Sequence, residues 1–231
     1  MYLGLDFGTS SVKGVLIDAS QKIIATASAP LKVSRPQSGW SEQNPEDWWK
    51  ACNIVVKTLG RMKPKAVAAV EGIGLSGQQH GATLLDAGGK ALRPCILWND
   101  ARSFRECEEI MAREPKAVPL AGNVPLAGYT APKLVWVKKH EPRIFAKVAK
   151  VLLPKDYIRF RMTGDYASDM SDSSGTYWLD IANRKWSDLL LKASGMRRDQ
   201  MPELFEGTDA TGRLSPSVAK AWGMPKRPVV A

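Results

Sequence analysis

Residues 1–18 of the chain read MYLGLDFGTSSVKGVLID. Apolar runs at 1–7 and 12–18 predict two β-strands, and the small residues at 8–11 predict a tight turn between them. A third apolar run, 23–31, follows the polar turn at 18–21. The opening therefore predicts an antiparallel meander of three strands, which is typical of an α+β or α/β domain with a mixed sheet.

The turn between the first two strands carries chemically useful groups. Asp6 lies at the end of the first strand, and Gly8, Thr9, Ser10 and Ser11 follow it. Such a turn presents backbone N–H groups and hydroxyls to an anion, while the carboxylate can order a magnesium ion or its water shell beside phosphates. The stretch is not a Walker loop. It predicts a phosphate-binding hairpin, with an ordinary glycine-containing hairpin as the alternative.

Helix signals follow the meander. Asn44 is a typical amino-terminal cap, Pro45 suits the first helical position, and apolar residues recur at helical spacing as far as Leu59. Further strands are predicted at 72–76, 81–85 and 94–98, and further helices at 99–113, 133–140 and 188–194. The length of 231 residues fits one large domain or two small ones.

The composition argues against several classes of protein. Hydrophobic residues make up 44% of the chain, which predicts a folded domain with a buried core. Three cysteines without C-x-x-C spacing indicate reduced thiols, and the two histidines have no metal-ligand neighbours at a suitable spacing. Asp6 and Lys13 interrupt any signal-peptide core, and no long apolar run predicts a membrane span. We therefore expect a cytoplasmic protein that does not bind a membrane.

The net charge of +10 allows a nucleic-acid partner, an anionic substrate or a missing acidic segment. The basic residues are spread along the chain and interleaved with acids, without a zinc-finger, RRM or helix-turn-helix pattern. We therefore expect no nucleic-acid binding.

Four further segments accompany the opening hairpin. They are GLSGQQHGATLLD at 74–86, ILWNDAR at 96–102, GYTAPKLVWVKKH at 128–140 and LPKDYIRFRMTGDYASDMSDSSGTYWLD at 153–180. Together they resemble the FGGY carbohydrate kinases, and within that family the members that phosphorylate xylulose. The resemblance covers nearly the whole chain. It implies an α/β, ribonuclease H-like fold of the actin, Hsp70 and hexokinase superfamily, with a mixed β-sheet flanked by helices. It also assigns 1–231 to the amino-terminal, sugar-binding domain.

The resemblance implies specific roles at the opening hairpin. Asp6 is the one residue expected to act directly in catalysis, as an organiser of the phosphates of an ATP bound with Mg²⁺. The phosphates are expected to contact Gly8, Thr9, Ser10 and Ser11. No residue of the protein is expected to ligate a metal directly, and Mg²⁺ is expected to bind with ATP near Asp6.

The resemblance also implies a sugar cleft. Gln79 and His80 are expected to contact the sugar, although many relatives have methionine where this chain has Gln79, which weakens that assignment. Asn99 and Asp100 are expected to shape the cleft. The alternatives are a structural histidine at 80, helix capping by Asn99 or Asp100, and an ion pair of the nearby arginine with an acid.

The carboxyl end, PVVA at 228–231, resembles the beginning of a strand. In xylulose-phosphorylating members of the family, a GGGDNAA-type segment with the catalytic base follows such a strand, and the adenine site lies further on. We therefore expect the chain to stop before that base, to lack the carboxyl-terminal nucleotide-binding domain and to be inactive alone.

The expected function is ATP-dependent conversion of D-xylulose to D-xylulose 5-phosphate in pentose catabolism, with D-xylulose and ATP as partners. A homodimer is left open. The alternatives are a kinase for another sugar or polyol, such as ribulose or glycerol, and a non-catalytic sugar-binding remnant. An actin- or Hsp70-like ATPase fits the first hairpin alone.

Overall fold

The protein is described by a computed structural model that covers residues 1–231. The strands are β1 Tyr2–Phe7, β2 Ser11–Ile17, β3 Ile23–Pro30, β4 Glu42–Gln43, β5 Gly72–Gly77, β6 Thr83–Leu85, β7 Cys95–Ile96, β8 Lys150–Leu152, β9 Ala167–Asp169, β10 Leu179–Asp180, β11 Lys185–Trp186, β12 Glu203–Phe205, β13 Gly212–Arg213 and β14 Val229–Val230.

The helices are distributed along the chain between groups of these strands. They are α1 Pro45–Met62, α2 Pro64–Ala68, α3 Phe104–Arg113, α4 Ala117–Ala121, α5 Thr130–His140, α6 Pro142–Phe145, α7 Pro154–Thr163, α8 Met170–Ser174, α9 Asp188–Ala193 and α10 Pro216–Trp222, with one 3₁₀ turn at Arg198–Gln200. None of them combines the length and the apolar character needed to cross a lipid bilayer.

The main sheet has six strands in the order β13-β14-β5-β1-β2-β3. Strands β1, β2 and β3 pair antiparallel, which confirms the predicted meander. Strand β5 joins β1 in parallel, and β14 joins β5 in parallel on the other side. The sheet is therefore mixed, as predicted, and the α/β fold class is confirmed.

Helix α1 packs on one face of the sheet, against β2 and β3. Its predicted start is confirmed, because the Asn44 side chain accepts a hydrogen bond from the Glu46 N–H. Helices α7 and α10 join α1 on the same side; for example, the Trp222 indole donates to Asn53 on α1 at 2.8 Å. The opposite face, which includes Gly4, Asp6, Lys13, Gly74 and Ser76, lies open.

A second hydrophobic core lies beside the sheet. It is built mainly from β6, β8, α5, the β10–β11 hairpin and α9, around the fully buried Leu134 and Trp178. The indole of Trp178 donates to the Ser194 hydroxyl at 2.8 Å, which ties the hairpin to the end of α9. These elements come from the long segment between β5 and β13, which begins at the carboxyl end of β5.

The predicted helix at 99–113 begins later than the sequence suggests. Helix α3 starts at Phe104, because the Asp100 carboxylate accepts a hydrogen bond from the Arg102 N–H and holds the preceding residues in a turn. The strand predicted at 94–98 is likewise reduced to Cys95–Ile96.

A glycine makes the contact between α1 and the sheet possible. A Cβ at Gly14 of β2 would lie 2.5 Å from Val55 Cγ1. We expect Gly14→Ala to destabilise the protein by about 1 to 3 kcal/mol through overpacking, as measured by urea unfolding. Gly60→Ala is the matched control: its Cβ would meet nothing within 4 Å, and alanine favours the α1 helix by up to about 1 kcal/mol. Unchanged stability in Gly14→Ala would contradict the tight packing of α1 on β2.

Candidate active site

The site lies where β1 and β5 end. The two strands are parallel, with Phe7 opposite Gly77, so the segments that follow them leave the sheet at the same edge. The Gln78 N–H donates to the Phe7 carbonyl at 2.9 Å and extends this pairing by one residue. Loops at the carboxyl edge of a sheet are common positions for ligand-binding groups.

Three separate segments meet at the hydroxyl of Thr9. This hydroxyl donates to Gln78 Oε1 at 3.1 Å and accepts from the Trp98 indole N–H at 3.0 Å. Gln78 Nε2 in turn donates to Gln43 Oε1 at 2.8 Å, and the Trp48 indole donates to the same oxygen at 2.9 Å. The opening hairpin, the segment after β5 and the segment after β7 are thereby fixed to one another and to α1.

The opening hairpin has free hydrogen-bonding groups. The backbone N–H groups of Gly8, Thr9 and Ser10 donate to no acceptor in the protein. Asp6 is exposed and takes part in none of the ion pairs. A Cβ at Gly8 would stand 3.3 Å from the Ser11 carbonyl oxygen, so a side chain there would crowd the turn. The hairpin can therefore receive an anion through backbone donors, while the proton of the Thr9 hydroxyl is already donated to Gln78.

His80 lies in a strained turn. Its φ is +63°, in the left-handed region, and the Gly81 N–H donates to the Gln79 carbonyl at 2.8 Å across it. The His80 carbonyl accepts from Thr130 Oγ1 at 3.1 Å and from Lys133 Nζ at 2.8 Å. Two bonds from α5 therefore hold the backbone in this conformation.

The His80 ring is half-buried and contacts two neighbours. Its Nδ1 lies 2.9 Å from the Gly175 carbonyl oxygen, and its edge packs on the Tyr129 ring with 4.9 Å between centroids. Burial, followed by the positive charge of Lys133, lowers the pKa of His80 below its usual value. The neutral imidazole is therefore favoured. Gln79, the neighbour of His80 along the chain, is exposed.

Lys133 is completely buried on α5. Its Nζ donates to the carbonyls of His80 and Gly128, at 2.8 and 2.6 Å, and forms no ion pair. Burial lowers the pKa of Lys133 to about 7. Both bonds go to backbone carbonyls, so this lysine has a structural role in joining α5 to the segments that contain His80 and Gly128.

The two predicted cleft residues after β7 differ in position. Asn99 is exposed beside Trp98. Asp100 is only 2% exposed, and its carboxylate accepts from the Ser41 N–H and from the backbone and guanidinium of Arg102. These oxygens face protein donors, so the alternative of an ion pair between Arg102 and an acid describes this side chain. The expectation that Asp100 shapes the sugar cleft stays a prediction.

Arg102 is the centre of a buried ionic network that sequence reasoning missed. Its guanidinium lies 2.8 Å from Glu42 Oε1 and 3.7 Å from the centroid of the Trp40 ring. Glu42 also pairs with Arg93 at 2.6 Å, and Arg93 contacts Glu141 at 2.8 Å. The network fixes the loop that contains Trp98 and Asn99. Its partners are far apart in the sequence, so spacing alone gives no signal for it.

Three residues of the site were also missed. Gln78 and Trp98 bond to Thr9, and Gly175 provides the carbonyl that faces His80. Gln78 is the first glutamine of the GQQHG stretch, whereas a role was assigned from sequence to the second, Gln79. No group of three or more histidine, cysteine, aspartate or glutamate side chains is arranged to hold a metal ion.

Comparisons with known proteins agree with this geometry. The model of the FGGY family of carbohydrate kinases, N-terminal domain, matches residues 1–231. The chain is 53% identical over 231 residues to a xylulose kinase of Escherichia coli K12, and 39% identical over 223 residues to a xylulose kinase of Bacillus subtilis 168. The crystal structure of a "xyloylose kinase" from Brucella ovis superposes with a TM-score of 0.97 at 53% identity.

The chain spans about half the length of these relatives. It is covered completely by the match to the E. coli protein, but it accounts for 47% of that protein, and for 45% of the B. subtilis protein. The Brucella structure is likewise covered to 47% by a match that includes the whole of this chain.

The buried lysine gives a pH-dependent prediction. Because the pKa of Lys133 is about 7 in the folded protein and near its ordinary value of 10.5 when unfolded, the unfolded chain binds more protons between these values. Lys133 should therefore make stability rise with pH from about 7 to 10, by up to about 1 kcal/mol per pH unit. Urea unfolding at pH 7, 8 and 9 should show this slope in the parent protein and its loss in Lys133→Met.

The control for this experiment is Lys138→Met, which removes an exposed lysine from the same helix. It should leave the pH slope of the parent protein in place. A parent slope that survives in Lys133→Met would mean that another group causes it.

Proposed function

Because the chain belongs to the FGGY family of carbohydrate kinases, we propose that it is the amino-terminal, sugar-binding half of a xylulose kinase, which transfers the γ-phosphoryl group of ATP to D-xylulose. The observation that carries this proposal is the Thr9 hydroxyl, which joins an anion-receptive hairpin to two segments with free polar side chains. The xylulose kinases of E. coli and B. subtilis, both similar along almost the whole chain, support the choice of sugar.

Phosphoryl transfer requires that the nucleotide phosphate and the sugar hydroxyl are held next to each other. The attacking hydroxyl must approach the phosphorus in line and within about 3.5 Å, and catalysis consists mainly of positioning and charge stabilisation. Gln78 and Trp98 both bond to Thr9, and they adjoin Gln79 and Asn99. A phosphate on the hairpin and a sugar beside these amides would therefore be neighbours.

The hairpin suits the phosphates of a magnesium nucleotide. Free N–H groups at 8–10 provide donors, and the unpaired Asp6 carboxylate provides the hard oxygen that Mg²⁺ or its water shell prefers. When bound, ATP with Mg²⁺ supplies the phosphoryl group and neutralises the charge that develops on it. Asp6 would be the residue that holds Mg²⁺ or its water shell beside the phosphates.

The sugar side needs donors and acceptors in one cleft. A pentulose offers hydroxyls and one carbonyl, which amide and imidazole groups recognise. Gln79, His80 and Asn99 provide such groups near the hairpin. The Tyr129 ring packs against the His80 ring and forms part of the wall.

The two carboxylates assigned to the site by sequence are both committed in this proposal. Asp100 is bonded to Ser41 and Arg102, and Asp6 serves the phosphates. We propose that the base and the adenine site lie in the part of the relatives that this chain does not span. Loss of an oriented base costs about 100- to 10,000-fold in rate, so residues 1–231 alone should bind sugar without transferring phosphate.

Calorimetric titration of residues 1–231 with D-xylulose tests the sugar site directly. We expect saturable binding that weakens at least about tenfold in His80→Ala, since a buried polar contact to a ligand is lost. His140→Ala is the matched control, because His140 is the other histidine of the chain and its ring stacks on Trp136 and not on Tyr129 or Gly175. Tighter binding of ribulose or glycerol would assign the site to another kinase of the family. No binding of any of the three would refute a sugar site in this chain.

A second prediction separates the roles of Asp6 and the cleft. In a fusion of residues 1–231 to the segment that follows the matched region in the E. coli relative, Asp6→Asn should reduce xylulose-dependent ADP formation by about 100-fold or more. Xylulose affinity should stay unchanged, because Asp6 acts on the Mg²⁺ that accompanies the phosphates and not on the sugar. Residues 1–231 alone should form no ADP above background. Transfer by the isolated chain, or a loss of sugar affinity in Asp6→Asn, would contradict these assignments.

A further inference from the structure

A buried lysine on α7 collects three carboxylates. Lys155 Nζ lies 2.6 Å from Asp156 Oδ1, 2.8 Å from Asp169 Oδ2 and 3.1 Å from Asp172 Oδ2. Its side chain is 13% exposed, and those of the aspartates are between 2% and 17% exposed. The proposed function gives this cluster no role, although burying four charged groups is costly unless the arrangement serves a purpose.

The cluster holds the short helix α8 at its beginning. Asp169 is the amino-terminal cap and accepts from the Asp172 N–H at 2.8 Å, so both ends of that capping bond belong to residues paired with Lys155. Beyond the helix, the Thr176 carbonyl accepts from the Ala131 N–H at 2.9 Å. Residues 173–175 lie between these two attachments, and Gly175 is the last of them.

Gly175 is the point at which this segment contacts His80. Its carbonyl oxygen lies 2.9 Å from His80 Nδ1. A Cβ at Gly175 would lie 2.2 to 2.3 Å from atoms of the His80 ring, although its backbone, with φ of −76°, would accept any residue. The position therefore requires glycine because the imidazole lies against it.

The direction of this hydrogen bond fixes the state of the ring. A carbonyl oxygen can only accept, so Nδ1 must carry the proton. The hydrogen bond made by one ring nitrogen determines whether the other is a donor or an acceptor. In the neutral imidazole, Nε2 is then an acceptor, which suits a hydroxyl donor.

From these contacts we infer that Lys155, together with Asp169 and Asp172, is a positioning cluster that holds the Gly175 carbonyl against His80 and fixes its Nδ1–H tautomer, so that Nε2 accepts a hydrogen bond from a substrate hydroxyl. The role of Nε2 toward the substrate rests on the proposed function. The positioning of the His80 ring by the cluster does not depend on the proposed function. Lys155 acts through Gly175 and does not contact the ligand.

The charged groups around the ring agree with this arrangement. Lys133 faces His80 from α5, Tyr129 packs on the ring edge, and the α8 segment presents the Gly175 carbonyl. Burial and the charge of Lys133 lower the pKa of His80, and the Gly175 hydrogen bond opposes this change. The neutral ring is thus compatible with a protonated Nδ1.

The test is ¹⁵N NMR of the histidine rings at neutral pH without ligand. The chain has two histidines, so His140→Gln assigns the remaining signal to His80. We expect a pyrrole-type shift at Nδ1 and a pyridine-type shift at Nε2. In Lys155→Met the two shifts should move toward an averaged tautomer mixture. Asp169→Asn keeps the helix cap but loses one charge of the cluster, and it should move them in the same direction by less.

Lys139→Met is the matched control, because it removes a lysine that also pairs with more than one carboxylate, those of Glu106 and Glu109, outside the site. It should lower stability without moving the His80 shifts. A pyridine-type Nδ1 in the parent protein would overturn the inference, as would unchanged shifts in a folded Lys155→Met. If Lys155→Met does not fold, unchanged shifts in Asp169→Asn decide against it.

Xylulose calorimetry on the same variants separates this inference from the proposed function. We expect affinity to fall about tenfold in Lys155→Met and to be retained in Lys139→Met. If the parent protein binds no xylulose while the ring shifts depend on Lys155, the positioning role stands and the proposed function fails. If xylulose binds equally well to the parent protein and Lys155→Met, the positioning role is wrong and the proposed function stands.

Discussion

Parallel pairing of β1 with β5 is the constraint on which the site depends. It places Phe7 opposite Gly77, so the hairpin after one strand and the strained turn after the other emerge side by side. The Thr9 hydroxyl then fixes their separation, because it bonds to Gln78 on one side and to Trp98 on the other. A site that holds a phosphate next to a polyhydroxyl ligand needs such a rigid edge, since loops alone would not keep the two groups at a fixed distance and orientation.

The same edge contains several features that are costly for stability. His80 adopts a positive φ at a cost of about 1 to 3 kcal/mol. Lys133 is buried without a carboxylate and bonds to the carbonyl of that same residue. Lys155 gathers three acids in a nearly dry environment. All three converge on the position of one imidazole. This concentration is what a preorganised binding site requires, because strain persists only where its surroundings fix it.

The sequence predicted what local chemistry determines. The meander and the start of α1 follow from residues close in sequence, such as the alternating apolar residues of β1 and the Asn44 cap. The free N–H groups at 8–10 also match the expected hairpin. Prediction from the sequence failed where contacts between distant residues determine the position of a side chain. Asp100 turns inward because Arg102 binds Glu42, 60 positions earlier in the chain, and the contact of Gly175 with His80 joins residues 95 positions apart. No spacing rule reports such contacts.

The proposed phosphate and sugar sites have different structural origins in this fold. The hairpin is a single local unit, and its donors are backbone groups that any sequence with the same turn would present. The proposed cleft instead takes His80, Asn99, Tyr129 and Gly175 from four separate segments, with the Gly175 carbonyl and the Tyr129 ring in contact with the His80 ring. A substitution at Gly175 or Lys155 can therefore alter recognition of the sugar while leaving the hairpin intact. Specificity can thus diverge within such a fold while the phosphate chemistry is retained, because the two depend on different sets of contacts.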